Sequence, residues 1–215
     1  MSDIIREVDQ ELKRENWQKL WKRYGKLLIG AAVFSVAATA AIVGWREYDQ
    51  GQRLVVGDRF AAVLADAESS GTPAASADAL AAFAQGAPDG YAVLARLREA
   101  KLRADAGDRA AAIAIYDSIA ADGSVDIMFR EIAILYSVRT QADDGDPNAL
   151  IARLSPLGAE TGTWRYSARE LTAILHLRAG DIEASQTAYQ QLADDLLAPQ
   201  GLRARAAEML RAIGG

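Results

Sequence analysis

The sequence predicts an all-α protein in which a single N-terminal transmembrane helix is followed by a solenoid of helix pairs. Three observations lead there. Hydrophobic residues make up 51% of the 215 positions, but Ala dominates that class, and the β-branched and aromatic residues that favour strands are sparse. One stretch near the N-terminus, Leu27 to Trp45, carries no charge. Beyond it, glycines recur at nearly constant spacing and separate amphipathic stretches of helix length.

The first segment, 1–26, places Ile5, Val8 and Leu12, then Leu20, Trp21 and Tyr24, near helical spacing among charges. That is the pattern of an amphipathic helix. The inner membrane surface and a partner protein would both suit it, and the sequence leaves the two open.

The second segment, 27–45, reads LLIGAAVFSVAATAAIVGW, 19 residues bounded by Lys26 and Arg46. A helix of that length spans about 28 Å, enough to cross the hydrocarbon core of a bilayer. Leu27, Phe34, Ile42 and Trp45 are its expected membrane-anchor residues. Trp17, Trp21 and Tyr24 precede it and Trp45 and Tyr48 follow, at the depth where amphipathic rings prefer the headgroups. A buried core helix is disfavoured by the unbroken lack of charge. Ala38-Thr39-Ala40 resembles a signal-peptide cleavage site, but the leader is long and the apolar run continues past Ala40. The small residues Gly30, Ala31, Ser35, Ala38, Thr39 and Gly44 suit close packing against another membrane helix or simply reflect composition.

Direction follows from the flanks. Lys13, Arg14, Lys19, Lys22, Arg23 and Lys26 precede the segment, against Arg46, Arg53 and Arg59 after it. Positive charge stays inside, so Lys19, Lys22, Arg23 and Lys26 are read as the topology determinants. The expected location is an inner membrane, single-pass, with the N-terminus cytoplasmic and residues 46–215 periplasmic in a bacterium with two membranes.

The third segment, 46–215, has breaker glycines at Gly71, Gly107, Gly145 and Gly180, separated by 36, 38 and 35 residues. In Gly107-Asp108, Gly145-Asp146 and Gly180-Asp181 the Gly can end one helix and the Asp can cap the next. Pro147 adds a first-turn proline. Helices are expected over 46–68, 75–85, 91–106, 109–121, 127–141, 147–157, 166–178, 182–197 and 202–213. In the second helix of each pair a small residue stands four before a large one: Ala112 with Tyr116, Ala149 or Leu150 with Leu154, and Ser185 with Tyr189. This predicts Ala112, Tyr116, Leu154 and Tyr189 as the packing residues of the repeats.

Composition and motifs narrow the function classes. From Arg46 onward 17 Lys/Arg face 24 Asp/Glu, and Lys101 is the only lysine there, so no broad cationic surface exists for nucleic acid. No Cys is present and His176 is the single histidine, which removes thiol chemistry, His-based triads and zinc clusters. Neither phosphate-binding glycine loops nor a G-x-S-x-G elbow occurs. Asp143-Asp144-Gly145-Asp146 lacks the alternating ligands and closing Glu of a calcium loop and reads as an inter-repeat turn. Asp194 and Asp195 are consecutive on a helix and need not converge. No cofactor and no catalysis are expected; an enzyme would rest on an unrecognised site among polar first-helix residues. Arg130, Arg139, Arg165 and Arg169 lie on first helices, where they either are solvated or, if they face the inner side, bind acidic groups bidentately.

The near-34 period, the Gly-Asp turns and the small-x-x-x-aromatic spacing resemble tetratricopeptide repeats. Arg103 and His176 stand where that family usually has a large apolar residue, and no groove positions are carried over. Residues Ile5 to Ala32, IREVDQELKRENWQKLWKRYGKLLIGAA, resemble the start of the bacterial envelope family that includes the ancillary subunit of the Sec translocon. That resemblance implies a tetratricopeptide-like periplasmic domain on one membrane helix, with Sec translocon subunits, periplasmic chaperones or exported clients as partners. A coordinator of cell-envelope synthesis or division would have the same architecture.

Overall fold

The computed structural model describes residues 2–69 and 72–214 and, along the first helix, the side chains of residues 26, 29–31, 34–48, 51, 54–67 and 69. Every regular element among them is helical: α1 (Ser2–Ser69), α2 (Pro73–Gly86), α3 (Asp89–Asp105), α4 (Arg109–Ala121), α5 (Ile127–Gln141), α6 (Pro147–Leu154), a 3-10 turn (Ser155–Gly158), α7 (Arg165–Arg178), α8 (Ile182–Asp194) and α9 (Gln200–Gly214). The chain divides into two units, Met1–Val55 and Val56–Gly215.

In the first unit, Ile29–Tyr48 is a 20-residue helical stretch of mean hydropathy 1.5, none of it buried. By length and composition it suffices to cross a membrane. Phe34 and Trp45 are each 75% exposed and Ile42 54%, and Lys26 is exposed. The side chains of Leu27, Lys19, Lys22 and Arg23, and those of the amphipathic stretch at 5–24, lie outside the described residues, as does Gly71.

The second unit is an ordered succession of helices, each packed on its chain neighbours, with α3 on α5 and α5 on α7 as the longer contacts. That is the contact pattern of a stack of helix pairs. The pairs are α3–α4, α5–α6 and α7–α8, and α9 covers the end. Its apolar residues form successive clusters rather than one centre. At its N-terminal end the Phe60 ring lies 5.5 Å from Phe83 and 5.8 Å from Tyr91, which fastens the end of α1 to α2 and α3.

The same places in each pair are buried. Ala95, Ala133 and Ala168 of the first helices are fully buried, and so are Ala100, Val138 and Ala173. In the second helices, together with the 3-10 turn that follows α6, the buried positions are Ala112, Tyr116 and Ile119, then Leu150, Leu154 and Leu157, then Ser185, Tyr189 and Leu192. This is an i, i+4, i+7 stripe, the face a helix turns to its neighbours. Each large side chain so buried contributes roughly 1.5–3 kcal/mol.

Two of the three Gly-Asp turns share one geometry. Gly107 and Gly180 have φ of 87° and 79°, a left-handed conformation that glycine adopts without Cβ strain. The N–H of Asp108 bonds Arg103 O and that of Gly107 bonds Ala104 O, and Asp181 and Gly180 repeat this on His176 O and Leu177 O. These bonds satisfy the last carbonyls of the helix. The same aspartates then cap the next helix, Asp108 accepting from Ala111 N and Asp181 from Ala184 N.

Gly145 departs from this geometry. It lacks a positive φ, and a Cβ there would meet Gln141 O and Leu150 Cδ1 at 3.0 Å, so the packing around it is tight. Asp146 still caps α6 through Asn148 N.

Three expectations change. α6 ends at Leu154 and continues as a 3-10 turn, because Pro156 has no N–H to donate to the helical ladder. In α6 the close-contact position is Leu150, while Ala149 is exposed, so that pair has no small residue there. α8 stops at Asp194 rather than at 197: Leu197 N bonds Asp195 Oδ1 and Ala198 N bonds Asp195 O. Asp195 leaves the helix in an extended conformation, and Leu196 and Leu197 are left 80% and 81% exposed.

Candidate functional site

The first helices lie side by side, and between α3 and α5 they leave a cleft of about 640 Å³, floored by Tyr116 of α4. Leu97, Arg98, Lys101, Ala104 and Asp105 of α3 form one wall. Tyr136, Arg139, Thr140 and Asp143 form the other, and Arg109 closes one end. Four cations thus face two carboxylates, on a chain whose net charge is −5.

The helical register explains the arrangement. Lys101 and Asp105 are one turn apart on α3; Arg139 stands near the end of α5, and Asp143 lies in the turn just after it. Lys101 Nζ is 2.6 Å from Asp105 Oδ2. Arg109 donates to Thr140 O at the end of α5 and pairs with Asp144 at 3.0 Å. Those two cations are therefore partly engaged within the protein, whereas the exposed Arg139 side chain makes no hydrogen bond or ion pair among the described residues.

The aromatic floor is held tightly. Tyr116 is 3% exposed, and its ring lies 5.7 Å from that of Tyr136, a tilted contact of the kind that favours aromatic pairs. Burial, with Tyr136 and Asp105 as lesser causes, pushes the Tyr116 hydroxyl up to about 12. It therefore remains a proton donor across the physiological range. Neither tyrosine hydroxyl has a hydrogen-bond partner among the described residues.

Of the four arginines singled out by sequence, only Arg139 lines this cleft. Arg169 is tied down by its Nε donating to Gly158 O at 2.9 Å and borders a separate cleft beside α6 and α8. Arg165 lies over the Tyr166 ring at 4.3 Å and donates to Gly162 O. Arg130 Nε is buried. Sequence reasoning missed Arg98, Lys101 and Arg109, although the 38-residue offset that relates Gly107 to Gly145 also relates Lys101 to Arg139 and Asp105 to Asp143.

The predicted packing residues are all found inside: Ala112 fully buried, Tyr116, Leu154 and Tyr189 nearly so. Tyr189 belongs to the cluster with Leu192, Ala198 and Leu202, and burial, then Glu170, raises its hydroxyl. Ser185 stands in its small-residue place because its hydroxyl donates to Ala173 O at 2.9 Å, binding α8 to α7.

The two polar residues at apolar landmarks also have a cause. Arg103 donates to the buried Glu99 at 2.8 Å and to Asp78 of α2 at 3.2 Å. Glu99, then Asp78, raises its guanidinium, so an ion pair there joins α2 to α3 in place of apolar packing. His176 Nδ1 lies 3.7 Å from Asp181 Oδ2. Asp144 and Asp146 of the acidic turn serve Arg109 and the α6 cap respectively, as a turn between pairs requires.

Polar ties also connect neighbouring pairs. Asp117 of α4 accepts from Ser137 of α5 and Arg153 of α6, both at 2.6 Å. Arg178 of α7 donates to Ala142 O at the end of α5. Arg205 of α9 pairs with Glu170 of α7 through two bonds, of 2.9 and 3.1 Å.

Comparison with curated proteins and with solved structures found no match. A protein family, described as tetratricopeptide repeat-like domain, matches residues 18–210, and domains of this kind serve protein interaction. With nearly the whole chain covered, and the pairs stacked as described, the protein belongs to the tetratricopeptide repeat-like domain family.

Proposed function

We propose that this protein is a membrane-anchored scaffold or chaperone-like subunit that works beside the Sec translocon, where its repeat domain binds exported chains or the periplasmic chaperones that handle them. The observation that carries the binding role is the α3–α5 cleft: donors without internal partners over an aromatic floor, on a stacked array of helix pairs. The anchoring part rests on the uncharged stretch and on the excess of positive charge before it. The translocon part rests on the resemblance carried by residues 5–32.

Crosslinking in intact membranes tests the reading. With a photoreactive residue at Thr140, on the rim of the cleft, the expected products contain translocon subunits, periplasmic chaperones or exported chains. Recovery of cell-wall synthases with no translocon subunit would overturn the translocon assignment. A reporter fused to the C-terminus and active only in the cytoplasm would overturn the topology.

A further inference from the structure

The two edges of the stack differ in chemistry. Successive helices alternate in direction, so the connections from each second helix to the next first helix, 122–126, 159–164 and 195–199, lie along one edge. The Gly-Asp turns lie along the other. Of the large apolar residues left exposed in the second unit, the three barest stand on the first edge: Leu197 at 81%, Leu196 at 80% and Ile127 at 55%, with the exposed Met128 beside Ile127. Single exposed apolar residues are ordinary, but consecutive pairs recurring along one line form a patch that marks an interaction.

Both pairs are held by the same device. Asp126 accepts from Met128 N and Asp195 from Leu197 N, each at 2.8 Å, an aspartate fixing the backbone two residues on. Between the pairs, Trp164 Nε1 donates to Met128 O at 3.3 Å, and Tyr166 packs on the cluster that contains Ala198 and Leu202. The row is therefore continuous from the start of α5, past α7, to α9.

Charge decides what can cover it. The three connections hold Asp122, Asp126, Glu160 and Asp195, with Asp194 just before the last, and contain no Lys or Arg. The Ser124 hydroxyl, then its N–H, holds the Asp122 carboxyl below the usual carboxylate range. Of the arginines on the adjoining helices, Arg96, Arg165 and Arg203 each donate to the protein itself, at Ser118, Gly162 and Ala193, and Arg130 has its Nε buried. A second copy of this edge, or a bilayer rich in anionic headgroups, would set negative charge against negative charge. A segment with basic residues beside an apolar face complements both features. Neighbouring helices pack about 8–10 Å apart, so the two apolar pairs, two first-helix steps apart, are separated by roughly 16–20 Å, three to four turns of an α-helix.

We propose that this edge, from Ile127 and Met128 to Leu196 and Leu197, docks an amphipathic helix of a partner protein whose apolar face is bordered by lysine or arginine, an inference that rests on the protein-binding reading above. The apolar face lies along the two exposed pairs, and the basic border meets Asp122, Glu160 and Asp194. The surface is separate from the α3–α5 cleft, and binding to it weakens as salt rises.

The test uses the full-length protein in nonionic detergent and a fluorescein-labelled peptide, acetylated and amidated, with leucines at helical spacing and lysines between them. Fluorescence anisotropy, read against empty micelles, should report saturable binding that weakens at least about tenfold in Leu196→Ser/Leu197→Ser, equivalent to about 1.4 kcal/mol. Ile127→Ser/Met128→Ser should weaken it as well, whereas Ile182→Ser, exposed on the opposite edge, should not. Glu160→Lys/Asp194→Lys should lose affinity for this peptide and gain it for one with glutamates in place of lysines, a charge swap that a folding defect cannot imitate.

Unchanged binding in both apolar double variants, an equal loss in Ile182→Ser, or equal binding of the lysine and glutamate peptides would each overturn the inference. So would a dimer of the parent protein that Leu196→Ser/Leu197→Ser abolishes, which would assign the edge to a second copy. The chain has no Cys, so Leu197→Cys carries a single fluorophore, and its quenching by brominated lipid in a reconstituted bilayer would assign the edge to the membrane instead. Crosslinks in intact membranes separate these failures from failure of the reading beneath. Partners captured at Thr140, with no peptide bound at the edge, would leave a protein-binding domain that does not use this surface. No protein captured from either Thr140 or Leu197 would remove the protein-binding reading itself.

Discussion

Tyr116 shows how much one position decides. It closes the layer between α3–α4 and the next pair, and the same ring floors the cleft. Removing a buried aromatic side chain costs about 3–5 kcal/mol through lost transfer energy and the cavity left behind. Tyr116→Ala in the detergent-solubilised protein should therefore lower the unfolding midpoint by on the order of 10 °C, and an unchanged midpoint would show that the ring is not packed.

Tyr116→Phe keeps the packing and isolates the hydroxyl. An unfolded tyrosine loses its proton near the ordinary value of 10.0, and folded Tyr116 near 12. Between those values the unfolded state binds fewer protons than the native one, so stability falls as pH rises. The parent protein should lose stability between pH about 10 and about 12, relative to neutral pH, by more than Tyr116→Phe does. Ultraviolet absorbance should show one late-ionising tyrosine fewer in the variant. Identical alkaline losses would contradict the assigned cause.

Among elements, the turns determine where helices stop. Gly107 and Gly180 need left-handed backbone and have open space around them, so replacing either by Ala meets a backbone penalty and no clash. Each replacement should cost roughly 1–2 kcal/mol, read as a shift in urea midpoint, while Gly123→Ala, with open space and no positive φ, should change little. Equal effects at Gly123 and Gly180 would refute the role given to φ. The Gly-Asp spelling was legible in the sequence for these two turns because local hydrogen bonds alone build them. At Gly145 the aspartate also caps the next helix, but the glycine there has no positive φ and packs tightly against Leu150 and Gln141. The end of α8 was missed because apolar Leu196 and Leu197 extend the helical pattern, but Asp195 leaves the helix in an extended conformation and folds back on their backbone.

At the scale of the molecule, contacts run between neighbours in the chain and between consecutive first helices. Stability in such an array is nearly a sum of pair and interface terms. Tyr116 and Tyr189 sit in separate clusters, with α5 and α6 between their pairs. The losses from Tyr116→Ala and Tyr189→Ala, measured by urea unfolding, should therefore add in the double variant to within about 0.5 kcal/mol. A larger discrepancy would mean that the two aromatics share one cooperative core.

The sequence by itself determined the helical class, the pairing of helices and the identity of Ala112, Tyr116, Leu154 and Tyr189 as interior residues. Each follows from periodicity or from turn chemistry within a few residues, and such local rules do not need the fold. It also determined the uncharged stretch and the charge bias before it. Only the tertiary structure decided which arginine faces the cleft, because Arg130, Arg139, Arg165 and Arg169 all stand on first helices and differ in what lies across from them. Arg165 meets a ring, Arg169 a carbonyl, and Arg139 open space opposite Lys101 and Arg98. Likewise only the fold shows why Arg103 occupies an apolar landmark, since its partner Asp78 lies on the preceding helix, 25 residues away. Charge pairing across helices depends on how they stack, and that packing is set by the whole array and not by the local run of residues.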